Sequence, residues 1–219
     1  MIRIHDIKEN QQIRTYIQKA DETLEAMGYT EHAFAHVTRA AHFAQKVLME
    51  LGYPERLCEL AWIAGYMHDI GNVVNRIDHA QSGALMAFRL LDNMGMDAEE
   101  IAMVCSAIGN HDESTAFPVN PIAAALILAD KTDVRRTRVR NQDMSTFDIH
   151  DRVNYAVEKA RTELSEDKKS VILTLEIDTG MSPVINYFEI FLDRMLLCRK
   201  AAEKLGLQFN LVVNGQQVL

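Results

Sequence analysis

Four histidines and two aspartates, His36, the adjacent pair His68-Asp69, His79, His111 and Asp130, carry the donor atoms of a metal centre at helical positions that call for apolar side chains. A helix turns roughly 100° per residue, so residues three, four and seven apart share a face. Ala40, Phe43 and Val47 follow His36 at those offsets, and Gly83, Met86 and Leu90 follow His79. Ala61, Ala64 and Gly65 precede His68, while Val104, Ala107 and Ile108 precede His111. Asp130 shares its face with Ala123, Leu126, Ile127 and Val134, and an ionised carboxylate buried there without a partner is too costly to be incidental. Any one of these histidines, taken alone, is most simply a buried polar group held by a hydrogen bond. Five helices making the same exception are explained together by one shared metal site, with the cation neutralising the carboxylates. Imidazole and carboxylate donors suit iron, manganese, zinc or nickel. Six ligands suffice for two ions, which can clamp the attacking and leaving oxygens of a phosphoryl displacement.

The elements that must position these residues are legible from their punctuation. Helices are expected over about 10–27, stopped by Gly28, and over 30–51, with Thr30 as N-cap and Gly52 beyond. Pro54 opens a third, which must end at His68-Asp69 if both side chains are to serve one site; Ile70-Gly71-Asn72 breaks the pattern there. A loop over 73–78 leads to a helix over about 79–94, closed by Gly95. Asp97 and Glu100 suggest a capping box for a helix to about Asn110, and Asn120-Pro121 opens the helix that carries Asp130. A further amphipathic helix is expected over 147–164.

After the charged stretch 165–170 the period changes from 3.6 to 2: Val171, Leu173, Leu175 and Ile177 alternate with more polar neighbours as in a strand. Ser182-Pro183 starts a helix to about Leu205, and 207–213 reads as a second strand. The fold expected is mainly α, a helical metal-binding domain over 1–165 with a small strand-helix-strand appendage over 166–219 that stabilises the domain or forms an interface.

Hydrophobic content of 48% marks a globular chain, and a net charge of -8 argues against general binding to nucleic acid or to an anionic membrane. Arginines 135, 136, 138 and 140 form a local basic patch. Cys58, Cys105 and Cys198 are odd in number and lie among apolar residues, as reduced thiols do. The start, MIRIHDIKEN, has no apolar targeting segment, and the longest apolar run, 123–129, is far shorter than the roughly 20 residues that span a bilayer. A cytoplasmic protein is expected, with a homo-oligomer left open.

These residues resemble the HD-domain metal-dependent phosphohydrolases, a family of helical bundles named for the His-Asp pair of an H…HD…D signature. The signature here is His36, His68-Asp69 and Asp130, within His36-Val37-Thr38-Arg39, Met67-His68-Asp69-Ile70-Gly71 and Leu128-Ala129-Asp130-Lys131, and the resemblance spans roughly 25–140. His79 and His111 match the extra histidines of a dinuclear H…HD…H…H…D subset, which includes symmetrical diadenosine tetraphosphate hydrolases and some diiron oxygenases. The resemblance implies two divalent transition-metal ions, one on His36, His68, Asp69 and Asp130, the other on His79 and His111 with Asp69 bridging. It also implies a hydroxide nucleophile between them and a catalytic set of His68, Asp69 and Asp130. One departure is Asn72, where many members carry a lysine after His-Asp-Ile-Gly.

On the substrate side Arg39, Asn72, Lys131, Arg135 and Arg136 are the candidates, the arginines because a guanidinium fork suits phosphate. Arg39 lies about one turn from His36, and Lys131, next to a ligand, is placed at the cavity rim. His5, His32 and His42 read as surface residues, and His150-Asp151 as a helix start at which aspartate caps. The function expected is hydrolysis of a phosphate ester or anhydride of a nucleotide or other small molecule. The alternatives are a diiron oxygenase and a non-catalytic ligand-binding regulatory module; the complete ligand set disfavours the last.

Overall fold

In the computed structural model, which describes residues 1–219, most helices begin and end where the sequence punctuates them. The Asn10 side chain accepts from the backbone N–H groups of Gln12 and Ile13 and starts α2 (Gln11–Ala26), after a short unanticipated α1 (Ile4–Glu9). Asn120 accepts from the Ala123 N–H and opens α7 (Pro121–Lys131). α3 (Phe34–Glu50) starts at Phe34, not at Thr30, whose carbonyl accepts from His32 Nδ1 at 2.6 Å. Asp97 caps α6 (Ala98–Gly109) through the Glu99 N–H. Glu100 closes no capping box, because Arg56 on α4 (Glu55–Met67) holds its carboxylate.

α4 and α7 are apolar nearly all round and therefore lie at the centre. Residues Leu60 to Met67 and Ile122 to Ala129 are all buried, with α3 packed on both helices and α6 beside them. Gly65 permits the closest of these contacts, since a Cβ there would lie 2.7 Å from the Ala41 Cα. α5 (His79–Asn93) packs on α6 and on the short 3-10 turn Ile70–Val73.

The helix expected over 147–164 is two elements. α8 (Ile149–Ala156) gives way at Val157 to β1 (Val157–Leu164), which pairs antiparallel with β2 (Ser170–Ile177). Residues 158–164 have good helix formers, but the edge of β2 presents backbone N–H and C=O groups that need a paired strand, and pairing overrides propensity. α9 (Val184–Lys204) then crosses to β3 (Gln208–Val213), parallel to β2, and β4 (Gln216–Gln217) closes the order β1-β2-β3-β4. The division expected after residue 165 falls in the β1–β2 turn. α9 packs against α7 as well as against the sheet, and one apolar core runs through helices and sheet alike. No helix is long and apolar enough to cross a membrane.

Candidate metal centre

α4 ends at Met67, and the Asp69 backbone at φ -95°, ψ 0° turns the chain off the helix axis, so adjacent His68 and Asp69 reach one point. His36 arrives from α3 and Asp130 from the last turn of α7; their contacts with His68 and Asp69 close a cluster. His36 Nε2 lies 3.3 Å from His68 Nε2, 3.2 Å from Asp130 Oδ1 and 3.5 Å from Asp69 Oδ2. His68 Nε2 lies 3.2 Å from the same Asp69 oxygen. The other Asp69 oxygen, Oδ1, faces a second pair: His79 Nε2 is 3.5 Å from it and 3.2 Å from His111 Nε2. His79 opens α5 and His111 follows α6.

The outer nitrogens fix the orientation of all four rings. Nδ1 of His68, His79 and His111 donates to the carbonyls of Gly65, Arg76 and Ile108 at 2.8, 3.0 and 2.6 Å. A carbonyl can only accept, so the proton of each neutral ring sits on Nδ1 and a lone pair on Nε2 faces inward. His36 Nδ1 meets the Asp133 carboxylate at 2.8 Å, the carboxylate-histidine pairing that fixes the orientation of a ligand ring. Asn72 donates to Asp69 Oδ1 at 2.9 Å and so orients the central carboxylate. Gly71 lets this turn touch α5, because a Cβ there would collide with the His79 carbonyl and the Gly83 N–H.

Inward-facing lone pairs and carboxylates repel one another unless a positive charge lies between them. Burial opposes charge on His68, yet Asp69 and Asp130 outweigh it and push the imidazole up to about 10. Both carboxyls are held well below their usual range despite burial, Asp69 by His68 and Asp130 first by Lys131. Burial holds His111 and His79 low. Asp69 Oδ2 is buried and accepts no hydrogen bond. A hard-to-borderline divalent cation satisfies these demands at once, and the donor set fits one.

Through Asp69, His79 and Asp130 the cluster forms the floor of a cavity of about 560 Å³ with only three hydrophobic residues among the 17 that line it. Arg76, Lys131, Arg138 and Arg194 carry its positive charge. Arg138 is 5% exposed and donates to the Glu31 and Asp133 carbonyls, which leaves its Nη2 without a protein partner. Arg76 approaches Asn72 Oδ1 and His79 Nε2, each at 3.4 Å.

The HD domain family model matches residues 33–152. The chain belongs to the HD domain family. It is 25% identical over 208 residues to an uncharacterised protein of Methanocaldococcus jannaschii, covering 84% of this chain and 78% of that one. A crystal structure of a predicted HD superfamily hydrolase from an uncultured Thermotogales bacterium is 26% identical, with a TM-score of 0.45, over 57% of this chain and 68% of that one.

In this HD-domain protein the six expected ligands converge, but the expected substrate residues divide. Lys131 lines the cavity, although it is buried rather than at the rim, with Nζ 2.7 Å from Asp130 and 2.9 Å from Glu113. Asn72 touches Asp69 and not the cavity wall. Arg39 and Arg135 line a separate depression, where Arg135 grips Asp133 from behind. Arg136 turns to the Tyr155 carbonyl and ring. Of the arginine patch only Arg138 reaches the cavity, because the 3-10 turn Arg136–Arg138 points successive side chains apart.

His32 is not a surface residue: it lines the cavity with its ring 5.4 Å from that of His36, and burial and Arg138 hold it well below its usual range. His150 and Asp151 line the cavity too, and Asp148, not Asp151, caps α8. Reading by sequence also passed over Asp133, Arg76, Asn154 and Arg194. Only Asp133 had a local signal, one turn beyond Asp130 and on its face.

Proposed function

We propose that this protein is a metal-dependent phosphohydrolase acting on a small phosphate ester, with residues that would hold two divalent transition-metal ions. The observation that carries this reading is the division of Asp69, whose Oδ2 faces His36 and His68 while its Oδ1 faces His79. His36, His68, Asp69 and Asp130 would hold one ion; His79, His111 and Asp69 would hold the other. When bound, such a pair acts as a Lewis acid on the phosphoryl oxygens and lowers the pKa of water to near neutrality.

The chain's own residues supply orientation and charge. The Nδ1 hydrogen bonds and Asn72 fix the ligand atoms before substrate arrives. The free Arg138 Nη2 and Arg76 face the phosphate, and Arg76 supplies the cation that Asn72 lacks. In the reaction a water oxygen bonds to phosphorus as the ester P–O bond breaks, and a proton from that water ends on the departing alcohol. The open Arg138 Nη2 at the cavity supports a phosphate-bearing substrate.

The test is phosphate release from p-nitrophenyl phosphate by protein purified anaerobically, stripped and reloaded with manganese, iron, zinc or nickel. Turnover should require metal and proceed without oxygen. Metal-loaded protein that consumes oxygen but releases no phosphate would reverse the choice.

A further inference from the structure

One wall of the cavity is built by α8, and its side chains present open acceptors. Asn154 is 7% exposed and lines the cavity. Its Nδ2 donates to the His150 carbonyl at 2.9 Å, which turns the amide so that Oδ1 is left without a partner. That oxygen is not among the sealed, unpartnered atoms of the chain, so it keeps accessible surface toward the cavity it lines. Asp148 and Asp151 stand beside it. One Asp148 oxygen caps the Asp151 N–H and one Asp151 oxygen accepts from Asn141 at 3.3 Å, leaving each carboxylate an open oxygen. Beside the His150 ring, the wall therefore offers three free acceptors, which ask for donors.

The same cavity is poorly made for a nucleobase. Its hydrophobic residues are Met27, Tyr29 and Phe191. Arg76 lies over the Tyr29 ring at 5.6 Å and Arg194 over the Phe191 ring at 4.6 Å, so guanidinium groups already occupy a face of both aromatics. A cationic donor is also disfavoured. Four carboxylates and four cationic side chains line the cavity and cancel, and bound metal would leave it positive.

We infer that the substrate is a sugar or polyol monophosphate: its phosphate meets the metal cluster, Arg138 and Arg76, and its hydroxyls donate to Asn154 Oδ1, Asp151 and Asp148. The inference rests on the phosphohydrolase reading and narrows it to hydroxyl-rich esters without a base. A cavity of about 560 Å³ holds a pentose or hexose phosphate with room for water. Hydroxyls fit because each can donate to a fixed acceptor without bringing a second charge into the cavity.

The metal-loaded protein is assayed with ribose 5-phosphate, adenosine monophosphate, phosphoethanolamine and p-nitrophenyl phosphate, alongside Asp151→Asn and Asn154→Ala. Ribose 5-phosphate should show the lowest KM, and each variant should raise that KM at least tenfold more than it raises the KM for p-nitrophenyl phosphate, about one lost hydrogen bond. Asn154→Ala is first checked by thermal melting; Asp151→Asn keeps the backbone cap of α8 and reads out the same wall if it fails to fold. Equal effects on both esters, or a lower KM for adenosine monophosphate or phosphoethanolamine, would overturn the inference and leave the hydrolase standing. No release from any ester, p-nitrophenyl phosphate included, would defeat the hydrolase reading and this inference with it.

Discussion

The floor and the α8 wall of the cavity are both polar, but they are finished to different degrees. On the floor every imidazole Nδ1 has its acceptor, Asn72 holds Asp69 Oδ1, and Arg135 braces Asp133 behind His36. On the wall, Asn154 Oδ1 and one oxygen each of Asp148 and Asp151 have no protein partner. A site that must hold charged groups to fractions of an ångström satisfies its outer atoms in advance, whereas a surface that receives a ligand leaves its inner atoms open. On the proposed reading the contrast separates positioning from recognition within one cavity.

Removing a brace from the floor should have the largest effect. Asp133→Asn weakens the pairing that orients His36, and metal affinity should fall about 10- to 100-fold in a chelator competition titration. Unchanged affinity would show that the floor does not depend on its outer contacts. Next comes Arg138→Met, expected to raise KM for a phosphate ester about tenfold, by loss of a charge-assisted hydrogen bond, while Arg39→Ala and Arg136→Ala stay within about twofold. The reverse order would move the anion site to the separate depression that holds Arg39.

The smallest effect lies outside the cavity, at the Arg56–Glu100 pair between α4 and α6. The hydrogen bonds from Arg56 hold the Glu100 carboxyl below its ordinary 4.5 despite some burial. A carboxyl with a depressed folded value contributes stability that is fully present above the unfolded value and lost as pH falls through the folded one. Glu100→Gln should therefore cost less than about 1 kcal/mol at neutral pH and progressively less as the pH is lowered, read from urea unfolding across the acid range. A penalty that persists in acid would point to packing instead of charge.

The ligand shell was legible because it breaks a local rule: His36 among Ala40, Phe43 and Val47, or Asp130 among Ala123, Leu126 and Ile127, is a polar residue on an apolar helical face. Helix ends were legible wherever one side chain caps, as at Asn10 and Asn120. The rest of the cavity lining was not, because His32, Arg76 and Arg138 lie in turns with no periodic context, and Asn154 and Arg194 reach the cavity only through the packing of α8 and α9. Lys131 shows the limit of helical geometry, since a flexible side chain turned back onto its neighbour Asp130. β1 shows the limit of propensity, as Glu158, Lys159, Ala160 and Arg161 favour a helix yet border a sheet.

The central claim is that Asp69 lies between two cations, and metal stoichiometry tests it most directly. Metal-replete protein should hold two ions per chain by elemental analysis, His79→Ala and His111→Ala should each hold one, and folded Asp69→Ala should hold fewer than two and lose turnover. A single ion per chain in the parent protein, unchanged by His79→Ala and His111→Ala, would contradict the account.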